Sequence, residues 1–328
     1  MTINDDTQAV SLLGSAFWCG REAEGEFQMA TAPEELFTEG KLAEKLRAKR
    51  ADVEVLMLEG DAEPQAEETG EDQRTLPRGD QMSRMLAQNI RLSKLVRATR
   101  EAGRLPFVEP TSCSSALGVL GGLDDEGVGL IWFDAHSDAM TPEFSVNGFF
   151  EGMPVSTIAG HCWNTYAARI PGFHTLPEDQ IVTVGYHEVY QPGERGREYH
   201  GRAMGTVVDP PVIAKLGFES GLTAALDLLS ARTDRVYVHF DADVLDAQVL
   251  MANRHAAVGG LTPEQLGLAW RLIAARFRVS AFVMASWDPT VDPRGLDVLV
   301  PIVQDGIEVF SSSNAARSRA LPRTPDRP

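Results

Sequence analysis

An apolar run, Gly129–Phe133, ends in Asp134-Ala135-His136-Ser137-Asp138. In extended backbone every second side chain points the same way, so Asp134, His136 and Asp138 share one face. Such a face can bind metal. A second run, Val236–Phe240, leads into Asp241-Ala242-Asp243-Val244-Leu245-Asp246 and again sets carboxylates two residues apart. Four aspartates brought within a few ångströms repel one another and are costly to desolvate unless cations neutralise them. Carboxylates able to bridge, together with one imidazole, suit a pair of ions roughly 3.5–4 Å apart that deprotonate a shared water at neutral pH. Oxygen-rich ligation with one nitrogen favours Mn²⁺ over Zn²⁺. For Asp241 and Asp243 taken alone, a solvated loop with chance alternation explains the pattern as well. The two motifs together leave chance little room.

The elements that must carry these residues follow from periodicity. Short β-branched or aromatic runs at Val10–Leu13, Val53–Leu58, Gly129–Phe133, Ile181–Gly185, Val236–Phe240 and Ala281–Ala285 read as strands. Helical spacing marks Gln81–Ala102, Gly221–Ala231 and Pro263–Phe277, the last opened by the capping box Thr262-Pro263-Glu264-Gln265. Strands alternating with helices predict an α/β fold with a mainly parallel sheet, whose carboxyl edge is where sites form. The 328 residues carry 30 Lys plus Arg against 47 Asp plus Glu, a formal charge of −17. That excess argues against nucleic acid or an anionic membrane as partner. No run approaches a membrane span, and the acidic start Met-Thr-Ile-Asn-Asp-Asp is unlike a signal peptide, so a cytoplasmic protein is expected. Cys19, Cys113 and Cys162 are too few and scattered for a disulfide framework and are expected as reduced thiols. Glu59–Asp72 reads as a solvated acidic loop. Residues 1–310 are expected to form one domain and 311–328, rich in Ser, Arg and Pro, a flexible tail.

The two motifs, in this order, resemble the ureohydrolase family of arginases, agmatinases and formimidoylglutamases. Asp134-Ala135-His136-Ser137-Asp138 is similar to its Asp-Ala-His-x-Asp signature, and Phe240–Asp246 to its Ser-x-Asp-x-Asp-x-x-Asp-Pro. Thr141-Pro142, Gly152-Met153-Pro154-Val155, Gly185 with Pro192-Gly193-Glu194, Gly259-Gly260-Leu261-Thr262 and Asp288-Pro289 agree, so the likeness runs from about Ser11 to Pro293. The resemblance implies a three-layer α/β/α fold, a small-molecule substrate and assembly as trimers or hexamers. It also implies two Mn²⁺ whose bridging hydroxide attacks the carbon of a guanidinium or similar C–N group. By position, Asp134 and Asp241 would bridge the ions, Asp138 would bind the first, and His136 and Asp243 the second. Asp138 would also accept a hydrogen bond from the nucleophile.

Several positions depart from the family pattern. Pro110-Thr111-Ser112-Cys113-Ser114 stands where the family has Gly-Gly-Asp-His-Ser, which puts Cys113 at a metal-ligand histidine. A thiolate is a competent ligand and softer than imidazole, tilting the first site toward Zn²⁺, Fe²⁺ or Co²⁺; the alternative is a small buried cysteine with the first ion weak or absent. Glu151 replaces the proton-shuttling histidine and is read as a proton carrier, as a partner of a cationic substrate, or as an exposed loop residue. Ser286 replaces the glutamate that grips guanidinium, which makes free arginine a doubtful substrate. Met140 stands in place of an asparagine that contacts an amino-acid carboxylate, and Glu188 lies where the substrate's amino group is contacted. His239 replaces a serine, with a core or supporting role favoured over a place at the site; Ala247 replaces a proline. Adjacent His161 and Cys162 diverge in regular structure and are not expected to share a metal. The leading expectation is a dinuclear metal-dependent hydrolase acting on guanidino, hydroxyguanidino or amidine compounds. A noncatalytic scaffold or sensor, and thiol chemistry at Cys113 with no obvious histidine partner, are the alternatives.

Overall fold

Strands that are apolar on both faces must be covered on both faces, and the central strands here are of that kind. The computed structural model describes residues 6–17, 26–49, 51–58, 81–145, 148–187 and 203–320. Its sheet contains β1 (Val10–Ser15), β2 (Val53–Leu58), β3 (Leu105–Pro110), β4 (Gly129–Phe133), β5 (Ile181–Val184), β6 (Thr206–Val208), β7 (Arg235–Asp241) and β8 (Arg278–Ala285). They lie in the order β2-β1-β3-β8-β7-β4-β5-β6, every pair parallel. On one face Ile131, Phe133, Val238, Phe240, Phe282 and Met284 pack with Leu226, Trp270 and Phe310, from the helices Phe218–Ser230, Pro263–Arg276 and Gly295–Ala320. On the other, Leu130, Trp132, Tyr237 and Val283 meet Leu86, Val96 and Leu117 of the helices Gln81–Glu101 and Ala116–Leu123. This is the three-layer α/β/α architecture, with a sheet that is parallel throughout. Trp270 anchors the first layer in edge-on contact with Phe133, Phe240, Phe282 and Phe310. No helix among the described residues is long and apolar enough to cross a membrane.

Two strands were not expected. β3 reads Leu-Pro-Phe-Val-Glu-Pro, and its prolines argue against a central strand. The Leu105 N–H donates to Ala9 O of the segment entering β1. Alternation therefore turns the donorless nitrogens of Pro106 and Pro110 toward β8, where pairing is confined to Phe107↔Phe282 and Val108↔Val283. β6 is a three-residue edge strand, too short to show a period.

The expected tail is corrected over much of its length, because the last helix runs unbroken from Gly295 to Ala320. Three of its polar residues, Ser313, Asn314 and Arg317, are tied to the sheet and a neighbouring helix. The Asn314 amide bonds both the N–H and the C=O of Val279, at 3.0 and 2.8 Å, and Ser313 and Arg317 bond Ala274 O. Compositional bias signalled solvation, whereas side-chain hydrogen bonds to backbone give this end a place. Cys19, the acidic run Glu59–Asp72 and residues 321–328 lie outside the described residues.

Candidate metal centre

The four middle strands β3, β8, β7 and β4 deliver their carboxyl ends side by side, and each contributes to one cluster. Asp134 directly follows β4, Asp241 ends β7, Asp243 sits in the turn Ala242–Val244, and Ser286 directly follows β8. Cys113 opens the turn Cys113–Ser115 that joins β3 to the helix Ala116–Leu123. Asp138 and Ser286 both adopt left-handed backbone, with φ of +45° and +62°. Such a conformation is costly for residues with a Cβ and gathers where function fixes the chain.

Two overlapping donor groups result. Cys113 Sγ and oxygens of Asp134 and Asp241 lie within 4.8 Å of one another, and so do donor atoms of Asp134, His136 and Asp243. Asp134 belongs to both. Cys113 Sγ is 2.8 Å from Asp241 Oδ2, and His136 Nδ1 is 3.2 Å from Asp134 Oδ1 and 3.4 Å from Asp243 Oδ2. Asp138 joins neither three-residue group, but its charge raises the Cys113 pKa and it is itself raised by Asp134 and Asp241.

Electrostatics shows what the cluster lacks. Burial, then the charges of Asp241, Asp138, Asp134 and Glu151, push the Cys113 thiol well above its usual range. Burial followed by Asp243 and Asp134 does the same to Asp241, and burial raises Asp134 and Asp138. Asp243 goes the other way. Burial pushes it up, but the charge of His136 and hydrogen bonds from His136, Asp241 and Asn253 outweigh burial and hold it low. The two neighbouring carboxyls are thus pushed in opposite directions, Asp241 up and Asp243 down. A buried thiol and three carboxyls driven toward neutrality, with donor atoms already converged, are chemistry that fits two divalent cations.

Hydrogen bonds fix these groups from behind. Trp132 Nε1 donates to Asp134 Oδ2 at 2.8 Å, and the Asp243 N–H donates to Asp241 Oδ1 at 2.9 Å. Asn253 Nδ2 bridges Asp243 Oδ2 and Ser286 O at 3.0 and 2.8 Å. Sequence alone gave Asn253 no signal, because it comes from the long connection between β7 and the helix Pro263–Arg276. His239, expected to support the core, is fully buried and brings Nε2 to 3.3 Å from Cys113 Sγ. Cys113 therefore does have a histidine beside it. The signal was available: His239 stands two residues before Asp241 on one strand and shares its face.

The remaining expected residues divide. Glu151 is buried rather than exposed on a loop, and its two oxygens accept from the Ser114 N–H at 3.1 Å and the Ser114 hydroxyl at 2.7 Å. It thereby braces the turn that carries Cys113. Ser286 Oγ lies 3.2 Å from Cys113 Sγ, at the cluster itself. His187 turns its ring nitrogens to Gly185 O and Ala257 O, and His161 pairs with Glu178 while Cys162 lies beside Thr157. Glu188 lies outside the described residues.

Comparison with known proteins gives a consistent picture. The model of the arginase family matches residues 50–302. Arginase from Bacillus caldovelox is 26% identical over 221 residues, covering 66% of this chain and 73% of that protein. The native crystal structure of the same organism's arginase superposes with a TM-score of 0.74 at 22% identity, over 92% of this chain and 98% of that one. Formimidoylglutamase from Bacillus subtilis superposes with a TM-score of 0.66 at 13% identity, over 93% and 87% of the two chains. With that match spanning most of its length and the donor groups standing at the strand ends, the chain belongs to the arginase family.

Proposed function

We propose that this protein is a dinuclear metal-dependent hydrolase that cleaves a C–N bond in a guanidino, hydroxyguanidino or amidine compound. The observation that carries this reading is the pair of three-residue donor groups sharing Asp134. Relatives named arginase support it. Cys113, Asp134, Asp241 and Asp138 would hold the first cation, and Asp134, Asp241, His136 and Asp243 the second. Cations held by these residues would neutralise the carboxylates and supply an activated water at neutral pH. Mn²⁺ suits the second group, and the softer sulfur of Cys113 admits Zn²⁺, Fe²⁺ or Co²⁺ at the first.

The chain's own residues supply positioning and proton handling. Asp138, partly exposed beside the buried ligands, accepts a hydrogen bond from the attacking water and keeps its lone pair toward substrate. As the attack proceeds, that shared proton would pass from the nucleophile to the Asp138 carboxylate and from there to the departing amine. Glu151 acts here as the brace of the Cys113 turn and not as a proton carrier, since Ser114 engages both its oxygens. Ser286 presents a neutral hydroxyl where a carboxylate would clamp a guanidinium through two bonds, which favours substrates other than free arginine. A nucleophilic Cys113 is disfavoured, because four surrounding carboxyls oppose its thiolate. The test is metal analysis together with a screen of guanidino and amidine compounds, reading urea or ammonia release. About two equivalents of metal and turnover abolished by chelation are expected; turnover indifferent to exhaustive chelation and to added metal overturns the reading.

A further inference from the structure

Neither donor group uses His239, yet no histidine among the described residues is more deeply buried. It is fully buried on β7, its ring stacked on Trp132 with centroids 3.6 Å apart and planes 3° from parallel. Tyr237 OH lies 2.7 Å from Nδ1, and Cys113 Sγ lies 3.3 Å from Nε2. Tyr237, His239 and Asp241 alternate along one strand face, so the row ends at the cluster. Tyr237 is fully buried, and among the described residues its hydroxyl has Nδ1 as its hydrogen-bond partner. A phenol donates to an imidazole nitrogen, which makes Nδ1 the acceptor and leaves the ring hydrogen of the neutral tautomer on Nε2. That hydrogen faces the Cys113 sulfur. The sulfur in turn directs its own proton to Asp241 Oδ2, 2.8 Å away.

We propose that His239 is a positioning residue for Cys113: Tyr237 and Trp132 lock it in the Nε2–H form, and it donates a hydrogen bond that holds the Cys113 sulfur as a thiolate ligand of the first cation. This rests on the reading of the cluster as a metal centre. When a cation binds, the Cys113 S–H bond breaks, its proton leaves to solvent, and the electron pair goes to the new sulfur–metal bond. The His239 N–H stays in place and offsets the charge left on sulfur. An imidazole thus stands directly behind the thiol, on a scaffold that a ligand pair drawn from sequence neighbours could not provide.

The probe is Co²⁺, whose bonds to thiolate absorb in the near ultraviolet. Co²⁺-loaded protein should show a sulfur-to-cobalt charge-transfer band that Cys113→Ser abolishes. His239→Phe keeps a ring against Trp132 but removes the donor. It should shift the band to lower energy, because an unbonded sulfur lone pair lies higher, and weaken Co²⁺ binding about 10–100-fold. His239→Gln, which restores an N–H at similar reach, should recover much of both. Tyr237→Phe leaves the histidine but unlocks its tautomer, and should give a smaller shift of the same sign even if His239→Phe fails to fold. A band and an affinity unchanged in folded His239→Phe, or unchanged in Tyr237→Phe, overturn the role of His239 while leaving the metal centre intact. Cobalt bound in about two equivalents without a thiolate band overturns it as well. No cobalt bound at all instead overturns the metal reading on which it rests.

Discussion

Removing metal should invert the pH dependence of stability. In the metal-free protein Asp134, Asp138 and Asp241 all carry pKa values raised by burial first and by neighbouring carboxylates, Asp243 on Asp134 and Asp241, and Asp134 and Asp241 on Asp138. A carboxyl whose folded pKa exceeds its unfolded one keeps a proton that the unfolded chain has already released, so stability falls as pH climbs from the unfolded value, about 3.9. Each such proton contributes a slope of about 1.4 kcal/mol per pH unit while the folded group remains protonated. Cys113 adds the same sign above about pH 8.5. Metal reverses the slope, because its ligands must give up those protons and affinity rises with pH. At free metal about 1,000-fold over Kd the gain is ~4 kcal/mol. For 328 residues an unfolding entropy of about 2.1 cal/mol/K per residue moves Tm by ~6 °C. Glu109 is a second buried acid whose oxygens find no partner among the described residues, and burial raises it too. It contributes equally with and without metal, so the difference between the two curves isolates the cluster. The assay is thermal unfolding of chelator-treated and metal-saturated protein from about pH 5 to 8. Curves that run parallel across that range would refute the assignment of these carboxyls to a cation site.

Other substitutions separate the donor groups and the scaffold. Asp134→Asn should lose both metal equivalents and Asp243→Asn only one, as read by elemental analysis of folded protein, because only Asp134 is common to the two groups. Glu151→Gln should lower stability by about 1–3 kcal/mol, the cost of weakening buried bonds to a charged acceptor. It should also loosen the first cation without adding or removing a limb in the pH–rate profile; a lost limb would return Glu151 to proton transfer. Trp270→Ala should cost about 3–5 kcal/mol by opening a cavity among four phenylalanines, with metal content unchanged in whatever remains folded. Ending the chain after Phe310 should destabilise it measurably in denaturant titration, since the bonds of Ser313, Asn314 and Arg317 are lost; no change would restore the flexible-tail expectation.

The sequence displayed the residues of the donor cluster more clearly than the strands that carry them. Asp134, His136, Asp241 and Asp243 were legible because strand alternation is local and needs no knowledge of neighbours. Cys113 was legible only through family resemblance, since β3, the strand before it, is disguised by Pro106 and Pro110. Those prolines are tolerated because their nitrogens face the short β3–β8 ladder, a property of pairing that no single-strand pattern reveals. Asn253 was illegible for a related reason: it reaches Asp243 from a connection whose path depends on the whole edge of the sheet. His239 had the right parity but the wrong emphasis. A histidine inside an apolar strand is commonly a satisfied core residue, and only the approach of Cys113 from β3 gives its Nε2 an acceptor at the site.

Parity itself depends on one irregularity far from the cluster. β7 and β8 pair as Val236↔Val279 and then Tyr237↔Ala281, so Ser280 is an extra residue in β8. Val279 faces the layer that holds Trp270, whereas Ala281, Val283 and Ala285, all odd-numbered like it, face the opposite layer with Tyr237. An added residue turns every later side chain to the other face. Large Phe282 and Met284 therefore go to the aromatic layer around Trp270, and small Ala281, Val283 and Ala285 go to the side where Trp132 and His239 stack. Had parity continued unbroken, bulky side chains would crowd the space behind Asp241 that the Tyr237–His239–Trp132 stack requires. The clustered donor residues are thus announced by motifs at the strand ends, but the room they occupy is made by Ser280, an extra residue at the opposite end of the sheet.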